Sequence, residues 1–400
     1  MKYWLSLLAA LTLSLSTLAT EQTSAVASYP SPVPPEIEAR AYLLLDVTAN
    51  NQVLASKNAD QPVEPASLTK LMTAYLAFDA LKTKKLNLEQ RLPVSERAWK
   101  MEGSRMFIDP KMSVRVEDLL KGLIIQSGND AAVALAEGVG GSVEHFVDLM
   151  NERAKALGML HTSYKNPEGL TVTGHTTTAQ DLAILATRLM HDFPEYIGYY
   201  ATQKYRLEGS PKSNDTNRNK LLFRDPAKMG FIVDGLKTGH TDAAGFCFVV
   251  TSKRADARVG ERRLLAILLG TNSEIARANE GEKLLAWGYN AFEDVKLFDA
   301  GVAVATPKVW KGTAGEVKVG LLEPKALAVS VPMGSAAQVT SKVYADKQII
   351  APLMAGQNIA TLKVFINAQA WTDKPLQAMQ GVPLGGWFSR TLDAMRLWFK

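Results

Sequence analysis

The chain alternates short unbroken apolar runs with longer stretches in which apolar residues return every three or four positions. After Met1-Lys2-Tyr3-Trp4 an apolar run extends from Leu5 to Leu18 and small residues follow. That run is short for a membrane span and has the form of a secretory leader, with Ala25-Val26-Ala27 favouring cleavage after Ala27 over Ala19. Ser28 to Pro35 is a Pro/Ser-rich lead-in. Ala39 to Val47 reads as a buried strand, Asn50-Asn51 as a turn and Gln52 to Ser56 as the returning strand. Leu71, Tyr75, Phe78 and Leu81 recur at helical spacing after Pro65, a residue suited to a helix entry. Helical spacing returns over Val114 to Ile125, Ala131 to Val139, Val143 to Leu157 and Thr178 to His191. Phe231 to Lys237, Phe246 to Lys253 and Arg263 to Leu269 read as three successive strands of one antiparallel sheet, and Ile275 to Phe292 as a closing helix.

Beyond Asp294 the pattern changes to short β-rich runs: Val302 to Val309, Glu316 to Val319, Ala328 to Val331, Gln338 to Tyr344, Gln348 to Ala351 and Thr361 to Ile366. The final stretch is helical again. Trp387, Phe388, Thr391, Leu392, Met395, Trp398 and Phe399 share one face; Arg390, Asp393, Arg396 and Lys400 share the other. It is too short and too charged to span a bilayer, but it suits the membrane interface, with a packed terminal helix or a homodimer contact as the alternatives. The predicted organisation is α+β: a leader over 1–27; an antiparallel sheet flanked by helices, with an inserted helical subdomain, over 28–294; a small all-β domain over 295–382; and an amphipathic anchor over 383–400.

Composition narrows this picture. Four hundred residues with 47% apolar content support two domains. The formal charge of +5 comes from dispersed Lys and Arg interleaved with acids, so there is no nucleic-acid stripe and an anionic membrane surface is the more suitable partner. The single cysteine, Cys247, lies in a strand-like apolar run and reads as a small buried residue. There is no H-E-x-x-H, cysteine pair, P-loop or G-x-S-x-G elbow, so no metal or cofactor is called for. His145, His161, His175 and His191 are scattered and read as surface or core residues.

Candidate chemistry gathers in three stretches. Ser67 and Lys70, in Pro65-Ala66-Ser67-Leu68-Thr69-Lys70, fall one helical turn apart on one face. A serine hydroxyl needs a base, and a lysine serves as one when burial or another cation lowers its pKa. Ser127-Gly128-Asn129 follows an apolar run, and Lys237-Thr238-Gly239 opens onto strands. Each stretch alone has a plainer reading: helix caps for Ser127 and Asn129, a strand bulge for Thr238-Gly239, an edge-strand charge for Lys237. In one chain and in this order, S-x-x-K, S-x-N and K-T-G form the set used by β-lactamases and penicillin-binding proteins. That set predicts acyl transfer through a serine ester. Ser67 is the nucleophile, Lys70 its base and Ser127 a proton carrier to the leaving amine. Asn129 holds a substrate amide, Lys237 supplies positive charge and Thr238 a hydroxyl for a terminal carboxylate.

Together with Ile125 to Asp130, Asp234 to Thr241 and Glu282 to Gly288, these motifs resemble low-molecular-mass penicillin-binding proteins that act as DD-carboxypeptidases. The resemblance covers essentially the whole chain. It implies the penicillin-binding/β-lactamase-like transpeptidase fold, a β-rich second domain and a C-terminal amphipathic anchor. It also implies removal of the terminal D-alanine from peptidoglycan pentapeptides, acylation by β-lactams, and a place outside the cytoplasm on the outer face of the inner membrane. By the same resemblance the oxyanion donors are the backbone N–H groups of Ser67 and His240, Arg218 and Arg277 lie near the substrate carboxylate, and Gly239 of the K-T-G motif belongs to the substrate-binding set. The loop Asn166-Pro167-Glu168-Gly169-Leu170 borders the cleft and is variable in that family. A DD-endopeptidase is the nearest alternative. A class A β-lactamase is less suitable, since no Glu between Ser127 and Lys237 has Asn four residues later. A wall-binding module with a silent site is the non-enzymatic alternative.

Overall fold

In the unbroken apolar run near the N-terminus, successive side chains enter two different cores. β1 (Ala41–Asp46) is buried at every position and returns through Asn50 and Asn51, both at positive φ, into β2 (Gln52–Lys57). A computed structural model describes residues 28–398 except 323–324 and 347, so the predicted leader lies outside the described residues. A 3₁₀ turn, Ala66–Thr69, leads into α1 (Lys70–Lys82), which is buried along most of its length.

The helical subdomain follows. β3 (Arg91–Pro93), α2 (Glu96–Trp99), β4 (Ser113–Arg115) and α3 (Val116–Lys121) precede a π-helical turn, Gly122–Gln126. Next come α4 (Asn129–Gly140), α5 (Val143–Leu157), α6 (Ala179–Asp192), α7 (Ile197–Ala201) and α8 (Pro226–Met229). The helix expected over Val114 to Ile125 is thus divided. Its start pairs with β3, where Val114 opposes Leu92 in the core, and its end widens where Gly122 packs against Met106.

β5 (Ile232–Thr241), β6 (Gly245–Asp256) and β7 (Gly260–Thr271) then form the predicted meander, and α9 (Glu274–Ala291) closes the unit. The five-stranded sheet runs β2-β1-β7-β6-β5 and is antiparallel throughout. Leu43, Leu45, Leu265 and Ile267 join the core with α1, α4 and α6, while Leu44, Leu264, Ala266 and Leu268 face α9. Alternation by two on a sheet covered on both faces is why these strands read as continuous apolar runs. Each such leucine contributes roughly 2 kcal/mol of burial.

Without an intervening loop, β8 (Phe292–Phe298) leaves α9 and carries the chain into the β-rich unit, so the expected division at residue 294 falls inside a strand. The unit contains β9 (Val309–Trp310), β10 (Val319–Gly320), β11 (Leu327–Pro332), β12 (Val339–Ala345), β13 (Ile349–Ile350), β14 (Asn358–Ile366) and β15 (Gln369–Ala378). The run expected as a strand from Val302 to Val309 is mostly irregular, and β15 stands where no strand is predicted. α10 (Trp387–Trp398) follows. Asp393 accepts a hydrogen bond from the Lys311 backbone (2.7 Å), so part of the polar face of α10 docks on the β unit, while Trp387 and Phe388 are 63% and 83% exposed. No helix among the described residues is long and apolar enough to cross a membrane.

Candidate active site

Three segments far apart in sequence meet at the β5 edge of the sheet. The 3₁₀ turn carrying Ser67 presses against β5, where a Cβ on Gly239 would stand 3.2 Å from Ala66 Cβ, Leu68 N and Pro65 O. A glycine at 239 allows this approach. On its other side the turn is braced by the 166–170 loop. Gly169 has φ +91°, and a Cβ there would collide with the Ala66 carbonyl. Asn166 Oδ1 accepts from Gly169 N (2.6 Å), and the Pro167 carbonyl accepts from Thr73 Oγ1 (2.6 Å). His175, also buried, accepts from Lys165 N at Nδ1, so its Nε2 carries the proton and donates to Thr69 Oγ1 at 2.8 Å. Burial lowers His175 to about 4, which keeps the ring neutral.

Lys70 is 1% exposed, and its Nζ lies 3.0 Å from Ser67 Oγ, 2.7 Å from Asn129 Oδ1 and 2.6 Å from the Glu168 carbonyl. Burial lowers its pKa to about 7; Glu168 and Asp130 oppose the shift and Arg218 reinforces it. The three neighbours suit a neutral amine. Two N–H groups donate to the two carbonyl-type oxygens, which only accept, and the lone pair is left for the Ser67 hydroxyl.

Ser127 ends the π-helical turn in the left-handed region (φ 59°), where Lys237 Nζ donates to its Oγ at 3.0 Å. Lys237 also donates to the Thr238 carbonyl (2.9 Å) and is itself held well below the ordinary lysine value, first by burial and then by Lys70, Arg218 and Arg277. Besides Lys237, whose charge and that of Lys70 repel each other, Arg218 is a second cation that lowers Lys70. The capping reading of Ser127 and Asn129 fails. Gly128 is the N-cap of α4 and no side chain caps it, while Asn129 Nδ2 donates to the Glu102 carbonyl (2.6 Å). Asp130, to which the sequence assigned no role, is fully buried and accepts from the backbone N–H groups of Met106, Phe107 and Ile108. It fixes the loop that brings Ser104 to the cleft. An acid in the first turn of a helix was its only signal, and that reads equally as a dipole match.

The cleft itself, about 230 Å³, is lined by Ser67, Ser104, Ser127, Arg218, Thr238, Gly239, His240, Phe246, Glu274 and Arg277. Lys70, Asn129 and Lys237 stand directly behind it, so all ten residues singled out from the sequence converge here. His240 stacks on Phe246 with ring centroids 4.0 Å apart. Arg277 is buried, reaches the Gly239 carbonyl at 3.4 Å and packs against the Phe246 and Phe248 rings. Burial lowers it to about 10, so it remains a cation at neutral pH. Arg218 donates to Asn214 Oδ1 (3.0 Å) at the open side.

Residues 28–271 match the D-alanyl-D-alanine carboxypeptidase family, peptidase S11, and residues 292–384 match the C-terminal domain of penicillin-binding protein 5. The D-alanyl-D-alanine carboxypeptidase DacC of Escherichia coli K12 is 40% identical over 372 residues, 91% of this chain and 89% of the relative. A D-alanyl-D-alanine endopeptidase of the same organism is 32% identical over 225 residues, 54% of this chain and 67% of the relative. The crystal structure of penicillin-binding protein 5 from Haemophilus influenzae superposes with a TM-score of 0.77 at 33% identity, covering 88% of this chain and all of that one. Matches of this length, spanning both the unit that carries the paired Ser67 and Lys70 and the β-rich unit after it, establish that the chain belongs to the S11 family of D-alanyl-D-alanine carboxypeptidases.

Proposed function

We propose that this chain releases the terminal D-alanine of peptidoglycan pentapeptides through an ester on Ser67. Ser67 Oγ attacks the carbonyl of the penultimate D-alanine as its proton passes to Lys70 Nζ. The oxyanion is held by the backbone N–H groups of Ser67 and His240. The C–N bond then breaks, and the leaving amine takes a proton delivered through Ser127 from the pair of buried amines. Water cleaves the ester in the second half-reaction. Arg218, Arg277 and Thr238 receive the substrate carboxylate, and Asn129 orients the peptide amide. A β-lactam enters by the same attack, but its amine stays tethered to the acyl group and obstructs the water. The observation that carries this reading is the 3.0 Å approach of a buried lysine amine, otherwise bound by acceptors alone, to the serine hydroxyl.

The experiment is mass spectrometry of the protein incubated with benzylpenicillin, which reports the acylated residue and the adduct lifetime. A long-lived adduct on Ser67 is expected, absent in Ser67→Ala together with D-alanine release. Labelling of Ser67→Ala at another serine overturns the assignment. Digestion of cross-linked muropeptides decides between carboxypeptidase and endopeptidase action: loss of terminal D-alanine from monomers is expected. Sustained penicillin turnover would indicate a β-lactamase instead.

The leader and the outward aromatic face of α10 support export and attachment to the outer surface of the inner membrane. The division into a catalytic unit ending near residue 294, a β-rich unit and a terminal anchor remains the working organisation. It is supported by the separate core of the β-rich unit and by the two family matches.

A further inference from the structure

Glu168 is buried, 6% exposed, yet the steps above give it no part. It is not among the residues lining the cleft. Its backbone carbonyl accepts from Lys70 Nζ at 2.6 Å, the shortest of the three contacts of that amine. The loop beneath it is tied down on both sides, by Pro167 to Thr73 of α1 and by Gly169 against the Ala66 carbonyl. Among the described residues no side chain donates a hydrogen bond to the Glu168 carboxyl and no salt bridge within 4.0 Å engages it, while its own backbone N–H does donate to it. Toward Lys70 a buried carboxyl in this state acts through its charge.

We propose that Glu168 is a positioning residue for Lys70, holding the amine with its backbone carbonyl and governing, through its buried carboxyl, the pH at which that amine becomes a base. The proposal rests on the serine acylation described above. Lys70 faces Glu168 from the loop, Asp130 from α4, and the cations Arg218 and Lys237; Glu168 faces Lys70 and, from α2, Arg97. As an ammonium, Lys70 donates to all three of its acceptors and is idle. Losing one proton frees the lone pair for Ser67. An ionised Glu168 favours the ammonium and delays that loss as pH rises, while burial of Glu168 raises its own pKa above the ordinary carboxylate value. The two groups therefore titrate as a pair.

The test is the pH dependence of acylation by a fluorescent penicillin under single-turnover conditions. Acylation of the wild-type protein on Ser67 checks the underlying reading by itself. Glu168→Gln is expected to move the acid limb of the rate toward lower pH by about one unit, so that on that limb the variant acylates about tenfold faster, with the same plateau at high pH. Glu168→Asp, which keeps the charge, returns the limb toward its original position. An unmoved limb, including a lowered plateau with the limb in place, overturns the proposal. A second measurement needs no variant: the Lys70 side-chain ¹⁵N resonance of the wild-type protein titrates in two coupled steps, and a single step overturns it.

Discussion

At the scale of single residues, the site depends on how closely two pieces of backbone approach. Ser67 is held at β5 because position 239 lacks a Cβ, and the nearest obstacles to one are backbone atoms and Ala66 Cβ at 3.2 Å. Gly239→Ala is therefore expected to push the strand off the turn by a few tenths of an ångström. It should lower the penicillin acylation rate roughly ten- to hundredfold, since catalysis falls steeply with small misplacements of reacting groups. Acylation kinetics together with a melting curve check this: a slow variant with a near-normal melting temperature is the expected pair. Ser67, Lys70, Ser127 and Lys237 were legible because their spacing follows from chemistry that needs these residue types near one another. Asp130, Glu168 and His175 were not, because each acts through contacts 22 to 106 residues away. A buried carboxyl that accepts from four backbone N–H groups resembles, in sequence, any acid at a helix start.

Elements show the same division. β1, β5, β6 and β7 were visible as apolar runs since both faces of their sheet are covered. β15 was missed because Gln369–Ala378 includes Asp373, Lys374 and Pro375 and buries few strongly apolar side chains. It lies between β10 and β14, a place where proline argues against a strand, and its pairing is set by those neighbours. The helix expected over Val114 to Ile125 failed for a related reason. Its apolar residues serve a strand, a helix and a π-helical turn in succession, and helical spacing alone does not register the changes. α10 was legible from its two faces, and the docking of Asp393 on Lys311 N turns the aromatic face outward. Truncation before Trp387 is expected to release the exported protein from inner-membrane vesicles with D-alanine release unchanged. Sedimentation with vesicles checks the first part, and continued pelleting of the truncated protein would place the anchor elsewhere.

For the whole molecule, one buried charge cluster joins the catalytic and β-rich units. Arg262 is fully buried and donates to Asp46 (2.7 Å), to the Phe292 carbonyl (2.7 Å) and to Ser330 Oγ (3.1 Å), with Asp294 also 3.1 Å away. From β15, Lys374 donates to the Ala49 carbonyl (2.9 Å). Removing Arg262 leaves Asp46 buried without its cation, so Arg262→Leu is expected to cost about 3–5 kcal/mol, read by denaturant unfolding. Asp294 is raised to about 8, by burial first and then by Asp46. Between about pH 4 and 8 the folded chain therefore holds a proton that the unfolded chain has lost, and this group makes stability fall as pH rises. Burial lowers Lys374 to about 8, which works in the opposite direction only at higher pH, between about 8 and its ordinary value. Asp294→Asn should flatten the dependence of the melting temperature on pH in the lower window, and an unchanged slope would assign it to other groups.

Local chemistry and periodicity, carried by the order of the residues alone, determined the reaction class, the proposed nucleophile and base, and the sheet-and-helix character of the catalytic unit. A motif of a few residues and an apolar run covered on both faces are complete within a short window. The folded chain alone decided which carboxyls stand beside the catalytic amine, how a polar strand enters the β-rich unit and what joins the two units. Those outcomes depend on burial and on partners distant along the chain, and neither can be computed from a residue's immediate neighbours in sequence.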